Sequence, residues 1–167
     1  MRRMSEHPPA LAIEASRLLA DYLHKIERSA GLLSADQLWW RPNPSCNSVG
    51  NLLLHLCGNL SQWVLAGLGE RPFDRRRRDE FAAREGGDGA TLIRRLREVV
   101  GECQAVVDRL RSEDLARTHV IQGYERTGFA VLLHAVEHMS YHTGQIVHIS
   151  KQILGESAAI DFYPHLK

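Results

Sequence analysis

The sequence predicts an all-α protein, an antiparallel four-helix bundle, and three observations carry that expectation. Four long segments place apolar residues at steps of three and four. No stretch alternates apolar and polar residues over the length of a strand, so no sheet is expected. No internal repeat divides the chain, so the four segments are expected to close around one core as a single domain over residues 1–167.

The first segment runs from about Pro9 to Ala30, with Leu11, Ala15, Leu18, Leu19, Tyr22 and Ile26 on one side and Gly31 as its stop. A connection from Ser34 to Asn47 follows, an ordered loop or short helical turn holding Trp39, Trp40, Pro42 and Pro44. The second helix starts after Ser48, a good N-cap, and reaches Leu68, where Gly67 and Gly69 mark its end. Gly69 to Gly87 is a charged connection. Asp88 then caps a third helix whose seam reads Leu92, Leu96, Val99, Cys103, Val106, Leu110. Ser112 to Arg126 crosses over, and the fourth helix runs from about Thr127 to Leu154, with Gly155 beyond it.

Composition narrows the function. With 44% hydrophobic residues, 25% charged and a net charge of +1 over 167 residues, the chain is neither disordered nor built to coat nucleic acid or an anionic membrane. Cys46, Cys57 and Cys103 form no C-x-x-C pair and no even framework, which points to reduced thiols and a cytoplasmic protein. No signal-peptide or bilayer-spanning stretch is evident. The run Arg75 to Arg78 could hold phosphates, but nearby Asp74, Asp79, Glu80 and Glu85 favour a solvated connection.

The histidines are the informative residues. His134, His138 and His142 recur every four residues on the last helix, so neighbours stand one above the other. At roughly 100° per residue, His142 lies about 40° from His138, on the arc of Val131, Ala135, Ile146, Ile149 and Ile153. His134 falls on the opposite edge, with Glu137, Tyr141, Gln145 and His148. His138 and His142 therefore point inward. His55 sits in an apolar run of the second helix, above Asn59 and Gln62 on nearly the same face. Three inward histidines on two helices form a metal site with open positions, suited to Zn, Ni, Fe or Mn. Asn59, Gln62, His134, Glu137, Tyr141 and Gln145 are candidates for supporting or pocket residues. Cys57 turns about 200° away from His55 and reads as a small buried residue. Trp39, Trp40 and Trp63 read as core or interface anchors. His7, His24, His119 and His165 read as surface or loop residues.

At these residues the chain resembles the DinB-like superfamily of metal-binding four-helix proteins, and more closely an uncharacterised branch of it. The resemblance rests on His55, on Glu137-His138-Met139-Ser140-Tyr141-His142-Thr143-Gly144-Gln145-Ile146, on Trp39-Trp40-x-Pro42 and on Asp79-Glu80-Phe81-Ala82-Ala83-Arg84. It implies one divalent metal on His55, His138 and His142, and a homodimer. Related families include thiol-dependent S-transferases and isomerases, so the resemblance implies metal-dependent thiol or group transfer on a small molecule, with a low-molecular-weight thiol as a partner. A metal-dependent hydrolase and a non-catalytic metal-binding stress-response or interaction protein are the alternatives. No general base is obvious. Neither nucleic acid nor membrane is an expected partner.

Overall fold

Short polar side chains start most of the helices. The computed structural model describes residues 8–166 and opens with α1, Ala10–Ala30. Ser34 caps the short α2, Ala35–Trp39, in a capping box with Gln37. Ser48 does the same with Asn51 for α3, Val49–Leu60, which continues without a break as a π-helix over Ser61–Leu68. α4 is Arg77–Ala82. Asp88 accepts from the Thr91 amide to cap α5, Gly89–Val107, and α6 is Ser112–Ala116. Thr127 caps α7, Gly128–Leu154, through the Ala130 amide. The four long helices fall where the apolar spacing puts them.

The direction of each helix follows from cross-contacts. Arg97 meets Glu27 while Gln104 meets Ser16, so α1 and α5 run antiparallel. His55 meets His138 while Asn59 meets His134, so α3 and α7 also run antiparallel. α3 and α5 run the same way, because Leu54 and Gly58 share a wall with Arg95 while the Leu60 carbonyl lies against Cys103. The bundle thus joins two antiparallel pairs, with α1 and α3 each packed between α5 and α7. Leu19, Ile26, Leu53, Leu56, Leu60, Leu96, Leu132, Met139 and Ile146 fill the centre, fully buried. Among the described residues, no helix is long and apolar enough to cross a membrane.

That topology sets the connections. The 20 residues from Val49 to Leu68 rise roughly 30 Å. Since α5 starts at the same end as α3, residues 69–88 must travel back along the bundle, and they carry α4 over the outer side of α3. The α4 end is tied down there. Asn51 Nδ2 donates to the Glu80 and Ala83 carbonyls at 2.8 and 2.9 Å, and Arg41 donates to those of Phe81 and Ala83.

One expectation is corrected. The connection expected to lack any sheet forms a hairpin, with β1, Thr118–Ile121, pairing antiparallel with β2, Tyr124–Thr127. Gln122 and Gly123 both take positive φ, 54° and 79°, as a two-residue turn of the primed type requires. Only Ile121 of this hairpin is buried, against Gly67 at the end of the π-helix. Four-residue strands with one inward side chain carry no readable alternation.

Candidate metal centre

His55 of α3 and His138 and His142 of α7 converge, each offering a ring nitrogen within 4.8 Å of the other two. His55 Nε2 lies 2.9 Å from His138 Nε2. His55 and His142 are 3% and 8% exposed, and His138 is half-buried.

The outer ring nitrogens fix which way the lone pairs point. His55 Nδ1 lies 2.8 Å from Glu80 Oε2, and a carboxylate only accepts. Nδ1 therefore carries the proton, and Nε2 presents a bare lone pair to the centre. The Arg75 guanidinium is 3.1 Å from the same Nδ1, but it too is a donor, and its hydrogens go to Glu80. His142 Nδ1 is 2.6 Å from Gln145 Oε1, again an acceptor, so its Nε2 is also bare. Two of the three rings are thus held in the tautomer a metal ligand needs, by the kind of carboxylate or carbonyl partner that metal-ligating histidines use. At 2.9 Å the His55–His138 contact needs one shared proton, and a cation bound between these nitrogens would take that proton's place.

Electrostatics agree. Burial and the neighbouring His142 and His55 push the His138 imidazolium down to about 3, and burial lowers His142 and His134 as well. His138 and His142 are thereby kept neutral at pH 7, the form that binds metal. Burial alone would raise the Glu80 carboxyl, but the hydrogen bonds from His55 and Arg75 outweigh it and hold it below the usual carboxylate range. The residues present therefore fit a divalent transition metal: three histidine nitrogen donors, two of them pre-aimed.

Glu80 and Arg75 are the site residues that sequence reasoning missed. Arg75 pairs with both Glu80 oxygens at 2.8 Å and donates to Gln62 Oε1 at 2.9 Å, with side chains of Arg75 and Glu80 only 4% and 11% exposed. The reading of the arginine run as a solvated connection holds for Arg76, Arg77 and Arg78, which are exposed, and fails for Arg75. Gly58 makes room for the pair: a Cβ there would lie 2.0 Å from Glu80 Oε1. Phe81 covers His55 at 4.6 Å between ring centroids. The only signal for this arrangement was the resemblance of the Asp79–Arg84 string.

The other expected residues divide. Gln145 and Gln62 join the centre as described. His134 lies outside the trio, against Trp63 at 4.0 Å between centroids, with its Nε2 3.4 Å from Asn59 Nδ2. Tyr141 is 62% exposed and meets the His142 ring edge-on at 5.1 Å. Glu137 is exposed on the outer side of α7, in line with its wheel angle, and touches the cluster only through its field on His134. Cys57 is buried away from the centre, its thiol pushed up to about 12 by burial. Trp63 is buried and Trp39 half-buried over Gly50, whereas Trp40 is exposed. His24 and His165 are exposed and His119 half-buried on β1; His7 lies outside the described residues.

Solved structures share this bundle at low identity. A conserved protein from Enterococcus faecalis superposes with a TM-score of 0.72 at 17% identity, covering 86% of this chain and 97% of that one. A DinB-like protein from Bacillus subtilis gives 0.68 at 18%, covering 90% and 96%. One from Bacillus cereus gives 0.64 at 16%, covering 79% and 85%. Among curated proteins none matches. Residues 11–160 match the family described as "Protein of unknown function (DUF1572)". The bundle is therefore of the DinB-like type, and the chain belongs to the DUF1572 family.

Proposed function

We propose that His55, His138 and His142 hold one divalent transition metal ion, and that the protein is a metal-dependent enzyme acting on a small molecule by thiol or group transfer. The observation that supports this best is the pair of locked tautomers, Glu80 on His55 and Gln145 on His142. When bound, such an ion acts as a Lewis acid that stabilises thiolate or hydroxide. The protein's own contribution is positioning and charge. Imidazole donors carry no negative charge and Glu80 is paired with Arg75, so the donor set leaves the ion's attraction for an anionic ligand in place. Tyr141, exposed beside His142, can hydrogen-bond an incoming molecule. Neutral His134, one turn from His138, can accept a proton.

A non-catalytic metal binder is the second reading, favoured by the burial of His55 and His142 and by Phe81 over the first. Untagged protein should contain one metal per chain, and H55A, H138A and H142A should each lose it while H134A keeps most. Cobalt-loaded protein should develop sulfur-to-metal charge-transfer absorption when a small thiol is added. If neither thiols nor azide perturb that spectrum, the site is closed and the binder reading replaces the enzyme.

A further inference from the structure

Beyond His142, α7 passes a cavity of about 380 Å³, within the range of small-molecule sites. Leu52 of α3, Ile149 of α7 and Pro42 give it an apolar surface. Ser45, Asn47, His148 and Gln152 supply polar groups, and among the described residues no lysine, arginine, aspartate or glutamate lines it. Gln145 forms the wall shared with the histidines. Its Oε1 is committed to His142 Nδ1, so the group it has left to offer is its amide N–H₂, a donor. Leu52 stands one turn before His55 and Gln145 one turn after His142. Because α3 and α7 run antiparallel, both offsets point the same way, and the cavity lies directly beside the metal centre.

We propose that this cavity binds the organic part of the substrate, and that it takes a small uncharged molecule bearing a carboxamide. The carbonyl oxygen would accept from Gln145, a second polar group would meet Asn47, Ser45 or Gln152, and a short alkyl chain would cover Leu52 and Ile149. A carboxylate or ammonium ligand would lose hydration here with no lysine, arginine, aspartate or glutamate among the described lining residues to meet it. The role as a substrate site rests on the metal-enzyme reading, while the selectivity for a neutral ligand rests on the lining alone.

The cavity contains its own reporter. Cys46 lines it and is partly exposed, whereas Cys57 and Cys103 are buried with their thiols pushed up by burial. Iodoacetamide at pH 7.5 should therefore alkylate Cys46 first. N-acetylethanolamine, added at twice its dissociation constant, should slow that reaction ~3-fold by simple occupancy. Succinate should leave the rate unchanged, and Q152A and S45A, both at exposed positions, should weaken the protection. Equal protection by succinate, no protection by the amide, or protection unchanged in both variants would overturn the proposal. Metal content measured on the same samples separates the two readings. Protection in a protein that binds no metal upholds the cavity and removes the metal enzyme; one metal per chain without protection removes the cavity alone.

Discussion

At the scale of single residues, the centre depends on charges that a helical wheel does not see. E80Q keeps the shape of the side chain but leaves Arg75 buried without its anion, a loss of about 3 kcal/mol in folding stability. The same change should weaken metal binding ~10- to 100-fold, since it loosens the His55 ring; denaturant unfolding and metal titration check the two effects separately. G58A gives a test of sign. Alanine for glycine in a helix interior usually gains about 1 kcal/mol, but here the added methyl meets Glu80, so the variant should be less stable and bind metal more weakly. Acidity should act through the same residues. His138 and His142 have lowered folded-state values, so the unfolded chain takes up protons first as pH falls below about 6.5. Glu80, also lowered, gives stability that is present above the ordinary carboxylate value and is lost as pH falls through its folded one. Both work in one direction: the urea midpoint of chelator-treated protein should drop steadily from pH 7 to pH 4. A flat or rising midpoint would contradict the assignment.

Among the elements, legibility follows length and burial. Helices of 19 to 27 residues with a continuous inward face announce themselves, and so do His138 and His142, which sit on such a face. α4 has six residues and none buried, and the hairpin buries Ile121 alone, so neither leaves a periodic trace. Glu80 was hidden for the same reason: its place beside His55 is decided by the route of a connection, not by a local pattern. The π-helix likewise has no signature in Ser61–Leu68 beyond Gly67 and the following Gly69. The hairpin's hold on the bundle is testable. I121A should cost about 2 kcal/mol, at the lower end for removing a buried aliphatic side chain, while leaving metal content unchanged. Loss of metal in that variant would show that the hairpin supports the centre and not only the end of α3.

For the whole molecule, the core is large enough to stand without the ion. The four helices bury a continuous set of leucines, valines and isoleucines, unlike a zinc finger that folds only on its metal. Chelator-treated protein should keep its helical circular dichroism at room temperature, and loss of most of that signal would make the metal structural. Phe129 and Leu133 stand exposed one turn apart at the start of α7. We propose that this surface pairs two copies, as the resemblance implies; light scattering should give twice the chain mass at micromolar concentration, and 18.9 kDa at every concentration would exclude it. The parallel run of α3 and α5 was beyond what periodicity can show, because a helix wheel has no direction relative to its neighbours.

The distance along the chain between the ligands has a consequence for biosynthesis. His55 and His138 are 83 residues apart, and the last helix supplies two of the three donors. During translation the growing chain carries His55, Arg75 and Glu80 long before it carries His138 and His142. An unfinished polypeptide therefore lacks two of the three donors of the proposed site. On the proposed reading, loading belongs to a chain that includes α7, because a product stopped at the hairpin would carry His55 without His138 and His142.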